Sequence, residues 1–308
     1  MISSKNGFVV WFKAMRVPFL TATVVPVVIG SSLAWQDTSG FMWMRFWMTL
    51  VGALLIHVGT NLANDYFDHI SGNDEANPNP TPFSGGSRVI QDGLIAPRSI
   101  LLAAITALVF GSGVGLYLNA LSGGNVILAL GAVGVFLGVF YSAKPFRIGY
   151  ASFGELAVGI GFGPLIVLGS YYVQAKTMPL GAFLVSIPVG ILIALVVFIN
   201  EFPDYAADKA VGKRTLVVIL GKRMAVILYH LLLAGAYICV LLLVIFKYLP
   251  NICLIVFLSL PLAVKAFMVS RKNFDKVYEL LPANAATIGL HLIIGVLLCA
   301  GIILGKVL

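Results

Sequence analysis

Residues 46–68 read FWMTLVGALLIHVGTNLANDYFD. No Asp, Glu, Lys or Arg interrupts the run from Phe46 to Asn64, and two aspartates close it. A helix of about 20 apolar residues crosses the hydrocarbon core of a bilayer. The stretch therefore predicts a membrane span that delivers an acidic, amide-rich cluster to one face. The same pattern runs through the chain. Of 308 residues, 60% are hydrophobic and 10% charged, with a mean hydropathy of +1.01. Soluble domains carry about 25% charged residues, so a soluble protein is excluded, as is a disordered one. Nine spans are expected, near 18–35, 46–66, 98–118, 125–141, 153–173, 179–199, 224–246, 250–268 and 287–305. The fold class is an all-α polytopic bundle, read as one domain over 1–308, with halves of about 1–150 and 151–308 that look internally related.

The net charge of +8 raises the question of nucleic acid, but no basic patch interleaved with aromatics stands in a polar context. The cations sort by side instead. With the N-terminus in the cytoplasm, Lys5, Lys13, Arg16, Arg88, Arg98, Lys144, Arg147, Lys209, Lys213, Arg214, Lys222, Arg223, Lys265, Arg271, Lys272 and Lys276 lie on that side. Only Arg45, Lys176, Lys247 and Lys306 lie opposite, as the positive-inside rule requires. The first apolar run is read as a retained helix, because no convincing cleavage site follows it. Cys239, Cys253 and Cys299 sit in apolar stretches without metal-ligand spacing and read as packing residues.

Eleven of the twelve acids also fall on the cytoplasmic side, Asp37 being the exception. Acids contribute little to topology, so their gathering marks the working face. Two motifs dominate. Asn61, Asp65 and Asp68 recur at i, i+4 and i+7, with Asn64 four residues before Asp68. On the sixth span, Asn200, Asp204 and Asp208 recur at i, i+4 and i+8. Pro203 predicts a break or restart of that helix, with Asp204 and Asp208 keeping their spacing beyond it. The two motifs end even-numbered helices four spans apart, which points to a duplication facing two carboxylate clusters across one cavity. Carboxylate and amide oxygens without Cys or His partners suit Mg2+, which prefers a few carboxylates completed by water and phosphate oxygens. Nearby Arg88, Arg98, Lys144, Arg147, Lys209, Lys213 and Arg214 fit a polyphosphate, although each is also a natural positive-inside anchor.

At these residues the sequence resembles the UbiA superfamily of intramembrane prenyltransferases. The matching pieces are Arg16-Val17-Pro18, Asn64-Asp65-Tyr66-Phe67-Asp68, Arg88 with Gly93, and Tyr141-Ser142-Ala143-Lys144-Pro145-Phe146-Arg147. Asp204, Asp208 and Lys213-Arg214-Thr215 complete the series. It is most similar to the menaquinone-type branch, the 1,4-dihydroxy-2-naphthoate polyprenyltransferases, through Tyr150 to Glu155, Gly169 to Gln174, Leu281 to Asn284, and His291-Leu292. Position 72, where a third acid often stands in the superfamily, is Gly, leaving Asp74 or Glu75 to take that place.

The resemblance implies transfer of a polyprenyl group from its diphosphate to an aromatic quinone precursor, with loss of CO2 from a naphthoate. It implies Mg2+ as cofactor and the lipid bilayer as surroundings, with no nucleic acid and no obligate protein partner. Asn61, Asn64, Asp65, Asp68, Asn200, Asp204 and Asp208 would hold the metal. Asn64, Arg88, Lys144, Arg147, Lys213 and Arg214 would hold the diphosphate, with Asp68, Asp208 and Lys144 catalytic. Tyr141, Glu155 and His291 are candidates for the acceptor. Their other readings are an interfacial aromatic for Tyr141, a helix-start acid for Glu155 and an interhelical hydrogen bond for His291. The expected setting is a prokaryotic inner membrane with the site facing the cytoplasm. A 4-hydroxybenzoate-like acceptor is the alternative substrate. The rival class is an ion-coupled transporter, which calls for ionisable residues near mid-membrane. A purely structural membrane scaffold ranks last, because it leaves the doubled Asn/Asp spacing without a reason.

Overall fold

The computed structural model describes residues 7–308. Lys5, one of the sorted cations, lies outside them. Every regular element among the described residues is helical. A short surface helix, α1 (Gly7–Ala14), leads through a 3-10 turn into α2 (Thr21–Asp37). Next come α3 (Trp43–Ser71), α4 (Pro97–Ser122) and α5 (Val126–Phe140). The fifth span is made of α6 (Gly154–Ile160) and α7 (Ile166–Ala175), joined by a π turn over Gly161–Leu165. Then follow α8 (Leu180–Ala210), α9 (Leu216–Ile245), α10 (Leu260–Asn273) behind a 3-10 segment, and α11 (Leu281–Val307).

Eight of these segments are long and apolar enough to cross a membrane, and α5 is a shorter apolar helix of 15 residues. The nine predicted spans each fall on one of them. Leu102, Val109, Phe110, Leu231, Leu258 and Val264 point outward and are more than half exposed, a surface suited to lipid. The chain is an integral membrane protein.

Lipid tails give no hydrophobic drive between helices, so close packing holds the bundle. A Cβ on Gly163 would come within 2.7 Å of Gly190 Cα, where the fifth span crosses α8. A Cβ on Gly111 would come within 3.0 Å of Gly52 O, in the α3/α4 hairpin. At the face opposite the acidic motifs, cations cap exposed helix ends. Arg45 donates to Val173 O at 2.9 Å and Leu121 O at 3.2 Å. Lys306 donates to Trp35 O, and to Thr38 O at 2.6 Å. These carbonyls close α7, α4 and α2, where positive charge complements the helix dipole.

Two helix boundaries differ from the hydropathy reading and a third agrees with it, each for a physical reason. First, α3 runs on to Ser71, so its acids ride a rigid helix. It stops at Gly72, whose φ of 75° a side chain would resist, and whose N–H closes the helix on Asp68 O and His69 O. This left-handed stop occupies position 72, where the family resemblance leads one to look for a third acid. Second, α8 does not break at Pro203. The proline cannot donate to Ile199 O, and Asn284 Nδ2 takes that carbonyl at 3.0 Å from α11. The boundary that agrees is the start of the seventh span: Gly221 interrupts α9 with φ 73° and ψ 151°, and the straight part beyond it matches the expected 224–246.

Candidate active site

The C-terminal ends of α3 and α8 open onto one cavity of 1240 Å³. Its polar end is lined by Arg16, Asn64, Asp68, Asp74, Asp208 and Lys213. From there it descends between α3, α4, α5 and the fifth span, past Ile56, Gly111, Gly131, Leu165 and Leu128. One molecule that is charged at one end and a long hydrocarbon at the other fits such a space.

On the α3 side, Arg16 pairs with Asp65 and donates to Asn64 Oδ1 at 3.1 Å. Burial works against the charge of Arg16, but Asp65 raises its pKa above the ordinary value. Asn64 Nδ2 donates to Asp68 Oδ2 at 2.9 Å and to Ser142 Oγ at 2.6 Å. Tyr150 donates to Asp68 Oδ1 at 2.8 Å and lies 2.7 Å from Ser71 Oγ. Asn61 donates to Met15 O at 3.2 Å, which ties α1 to α3.

The α8 side is bound to the loop that follows α3. Asp204 accepts from Asn77 Nδ2 at 2.7 Å and from the Gly85 N–H at 3.1 Å. The turn Ser84-Gly85-Gly86-Ser87 makes this possible. Both glycines are left-handed, and a Cβ on Gly86 would strike the Asp74 carboxyl at 2.5 Å. Lys213 Nζ lies 3.3 Å from Asp208 Oδ1. Burial opposes its charge, yet Asp208 and then Asp68 raise its pKa well above that of a free lysine. Asp74 is buried beside Asp68 and Asp65, and its pKa is pushed up to about 8, by burial first and by those charges second.

Asp65 Oδ2 and both carboxylate oxygens of Asp208 are buried and accept no aligned hydrogen bond, the lysine notwithstanding. Hard oxygen lone pairs left without partners fit a cation of the Mg2+ kind. Among the described residues, no three acid, His or Cys side chains close on one point. An ion held here needs oxygens from a ligand to complete its shell.

Of the sequence-predicted residues, Asn61, Asn64, Asp68, Asn200, Asp204, Asp208, Tyr141 and Lys213 line the cavity. Asp65 sits just behind, on Arg16 and the Ser87 N–H. Others lie apart from the lining. Lys144 and Arg214 are exposed at the rim. Arg147 stacks over the Tyr150 ring at 4.7 Å. Arg88 holds Asp74 O at 3.0 Å and faces Asp92. Glu155 caps α9 through the Leu216 N–H at 2.9 Å. His291 is buried behind α2, with Nε2 3.4 Å from Thr21 O. Of the two acids left open, Asp74 faces the cavity and Glu75 pairs with His69. Arg16, Asn73, Asn77, Tyr150 and Glu201 belong to the cavity or its support without having been assigned there. For Arg16 the signal was present in the Arg-Val-Pro step before α2, but it also reads as a topology anchor.

Residues 23–288 match the UbiA prenyltransferase family. A Bacillus subtilis protein named 1,4-dihydroxy-2-naphthoate octaprenyltransferase is 32% identical, over 97% of this chain and 93% of its own length. A Mycobacterium tuberculosis protein of the same name is 32% identical, over 96% and 97%. The 2-carboxy-1,4-naphthoquinone phytyltransferase of Synechocystis is 28% identical, over 94% and 92%. The structure of a UbiA homolog from Archaeoglobus fulgidus bound to GPP and Mg2+ superposes with a TM-score of 0.69 at 16% identity. That superposition covers 97% of this chain and 100% of the other, and it shows a shared fold. The chain belongs to the UbiA prenyltransferase family.

Proposed function

We propose that this prenyltransferase moves a polyprenyl group from its diphosphate to 1,4-dihydroxy-2-naphthoate, with loss of the carboxyl as CO2. The observation that carries the reading is the single cavity, closed at one end by two facing Asn/Asp helix ends and apolar along the rest. The relatives named for naphthoate prenyl transfer support the choice of acceptor. We place the polar end at the cytoplasmic face of a prokaryotic inner membrane, following the cation count. A transporter would keep ionisable groups along its middle, whereas here the acids gather at one end.

Asn64, Asp65, Asp68, Asp204 and Asp208 would hold Mg2+ with the diphosphate oxygens, Asn61 and Asn200 adding amide oxygens at the edges. Bound there, the metal supplies electrostatic stabilisation to the departing diphosphate. Arg16 and Lys213, both half-buried against the motif, bind and orient the same group and remain charged while doing so. Arg88, Lys144, Arg147 and Arg214 form an outer ring of positive potential that draws the diphosphate in. Tyr150 and Asn64 fix the rotamer of Asp68. The apolar walls keep water from the allylic cation left after ionisation. The acceptor ring would enter beside Tyr141. Incubating purified protein with Mg2+, a radiolabelled polyprenyl diphosphate and the naphthoate tests the reading. Lipid product together with CO2 supports it. Product with 4-hydroxybenzoate alone keeps the class and changes the acceptor.

A further inference from the structure

One polar group inside the cavity has no part in holding metal or diphosphate. His57 lies on the same face of α3 as Asn61 and Asn64, at i, i+4 and i+7. At a 1.5 Å rise per residue it sits about 6 Å deeper than Asn61 and about 10 Å deeper than Asn64. It is 8% exposed and lines the cavity together with Thr23 and Phe162. Its Nδ1 lies 2.8 Å from Thr23 Oγ1 on α2, and its ring meets Phe162 edge-on at 4.7 Å between centroids. Phe162 is carried on the π turn of the fifth span, an irregularity often found at working sites.

The interhelical bond to Thr23 uses only one ring nitrogen. Thr23 is fully buried, and its hydroxyl has no other partner among the described residues. A buried hydroxyl donates its proton where it can. Here the available acceptor is Nδ1, so the neutral ring carries its proton on Nε2. Nε2 makes no hydrogen bond to the protein and is not among the sealed, unpartnered atoms, so it opens on the cavity. The result is one fixed N–H donor, one to two turns below the diphosphate end, among apolar side chains and a few hydroxyls such as Thr60 and Ser170.

The prenyl chain has no oxygen for such a donor to meet, whereas a hydroxylated aromatic acid has several. We propose that His57, held in one tautomer by Thr23, donates from Nε2 to a ring oxygen of the aromatic acceptor and sets its position against the allylic carbon. His57 is thus a positioning residue for the acceptor. The inference rests on the prenyl-transfer reading above and adds to it the place where the acceptor is held.

The test compares wild type, His57→Leu, His57→Gln and Thr23→Val in detergent, after thermal unfolding shows each to be folded. Steady-state kinetics vary the naphthoate and the polyprenyl diphosphate separately. Inhibition is measured with naphthoate analogues that each lack one hydroxyl or the carboxyl. His57→Leu should raise the acceptor KM about tenfold and leave the KM for the diphosphate unchanged. His57→Gln, whose amide nitrogen can reach the Nε2 position, should recover most of that loss, and Thr23→Val should show part of it. Wild type should lose about tenfold in affinity for one analogue, and His57→Leu should be indifferent to that same deletion. The sensitive analogue tells hydroxyl from carboxyl. An unchanged acceptor KM in His57→Leu, or an equal loss across all analogues, would overturn the assignment. Absence of turnover in wild type would overturn the prenyl-transfer reading, and this one with it. Should His57→Leu not fold, the Gln and Thr23 variants with the analogue series decide alone.

Discussion

Asn284 on α11 donates from its side-chain nitrogen both to Ile199 O at 3.0 Å and to Asn200 Oδ1 at 2.8 Å. The first bond replaces the one that Pro203 removes from α8, and the second holds the first residue of the second motif. A single buried amide thus allows a proline inside the helix that presents Asp204 and Asp208. Asn284→Leu should leave the buried Ile199 carbonyl without a donor and free the cavity-lining Asn200, at a cost of about 1–3 kcal/mol. The expected result is a lower melting temperature in detergent and a reduced kcat. An unchanged melting temperature would show that water or a shifted helix takes over.

Arg16 and Lys144 make a sharper contrast. Arg16 is half-buried against the buried Asp65 and against Asn64, whereas Lys144 is exposed at the rim. Removing one partner of a buried ion pair costs about 3–5 kcal/mol. Arg16→Ala should therefore lower kcat/KM for the diphosphate by about two orders of magnitude or more. Arg16→Lys, which keeps the charge but loses the fork, should recover only part of this. Lys144→Ala should change kcat/KM by about threefold or less, because an exposed charge is screened. The reverse order would return Lys144 to the catalytic set.

Tyr150 touches Asp68 through its hydroxyl alone. Tyr150→Phe keeps the ring under Arg147 and removes one of the two hydrogen bonds that fix the carboxylate, leaving the one from Asn64. A hydrogen bond to a charged group contributes about 1.5–3 kcal/mol. The loss should appear in kcat, roughly tenfold or more, with little change in the acceptor KM.

Asp74 sets a pH dependence. Its ordinary pKa of 3.8 is pushed up to about 8 in the folded chain. Between those values the unfolded chain has released the proton and the folded chain still holds it. The folded state therefore loses stability as pH rises from about 4 towards 8, and levels off above. Asp74→Asn should remove that slope and raise the melting temperature of metal-free protein at pH 7. Added Mg2+ should stabilise wild type in the same pH range, provided it binds beside these acids. A melting temperature as pH-dependent in Asp74→Asn as in wild type would place the titrating group elsewhere.

The helices were legible because a bilayer imposes length and apolarity on every span. The two motifs were legible because helical spacing puts Asn61, Asn64, Asp65 and Asp68 near one face. Side-chain direction in loops was not. Lys144 and Arg147 follow Tyr141 closely in sequence, yet the chain turns so that Tyr141 enters the cavity and the cations stay outside its lining. Arg16 was hidden by the rule that explained it, since a cation before a first span already has a reason to be there. A mid-span histidine such as His57 reads in sequence as an interhelical hydrogen-bonding residue, and its Nδ1, on Thr23, fits that reading. Only the cavity beside it reveals the second nitrogen. The loop from Asn73 to Ser87 carries no periodicity, and its tie to Asp204 depends on two left-handed glycines that fold it back.

The most direct measurement follows prenyl transfer by purified wild type, Asp68→Ala and Asp208→Ala, with and without a chelator of divalent cations. It uses a radiolabelled polyprenyl diphosphate and 1,4-dihydroxy-2-naphthoate, and collects both lipid product and CO2. The two facing motifs predict product and CO2 from wild type only, lost on chelation and restored by Mg2+, with both variants folded and inactive. Full activity in either variant, or undiminished product without divalent metal, would contradict the proposed centre.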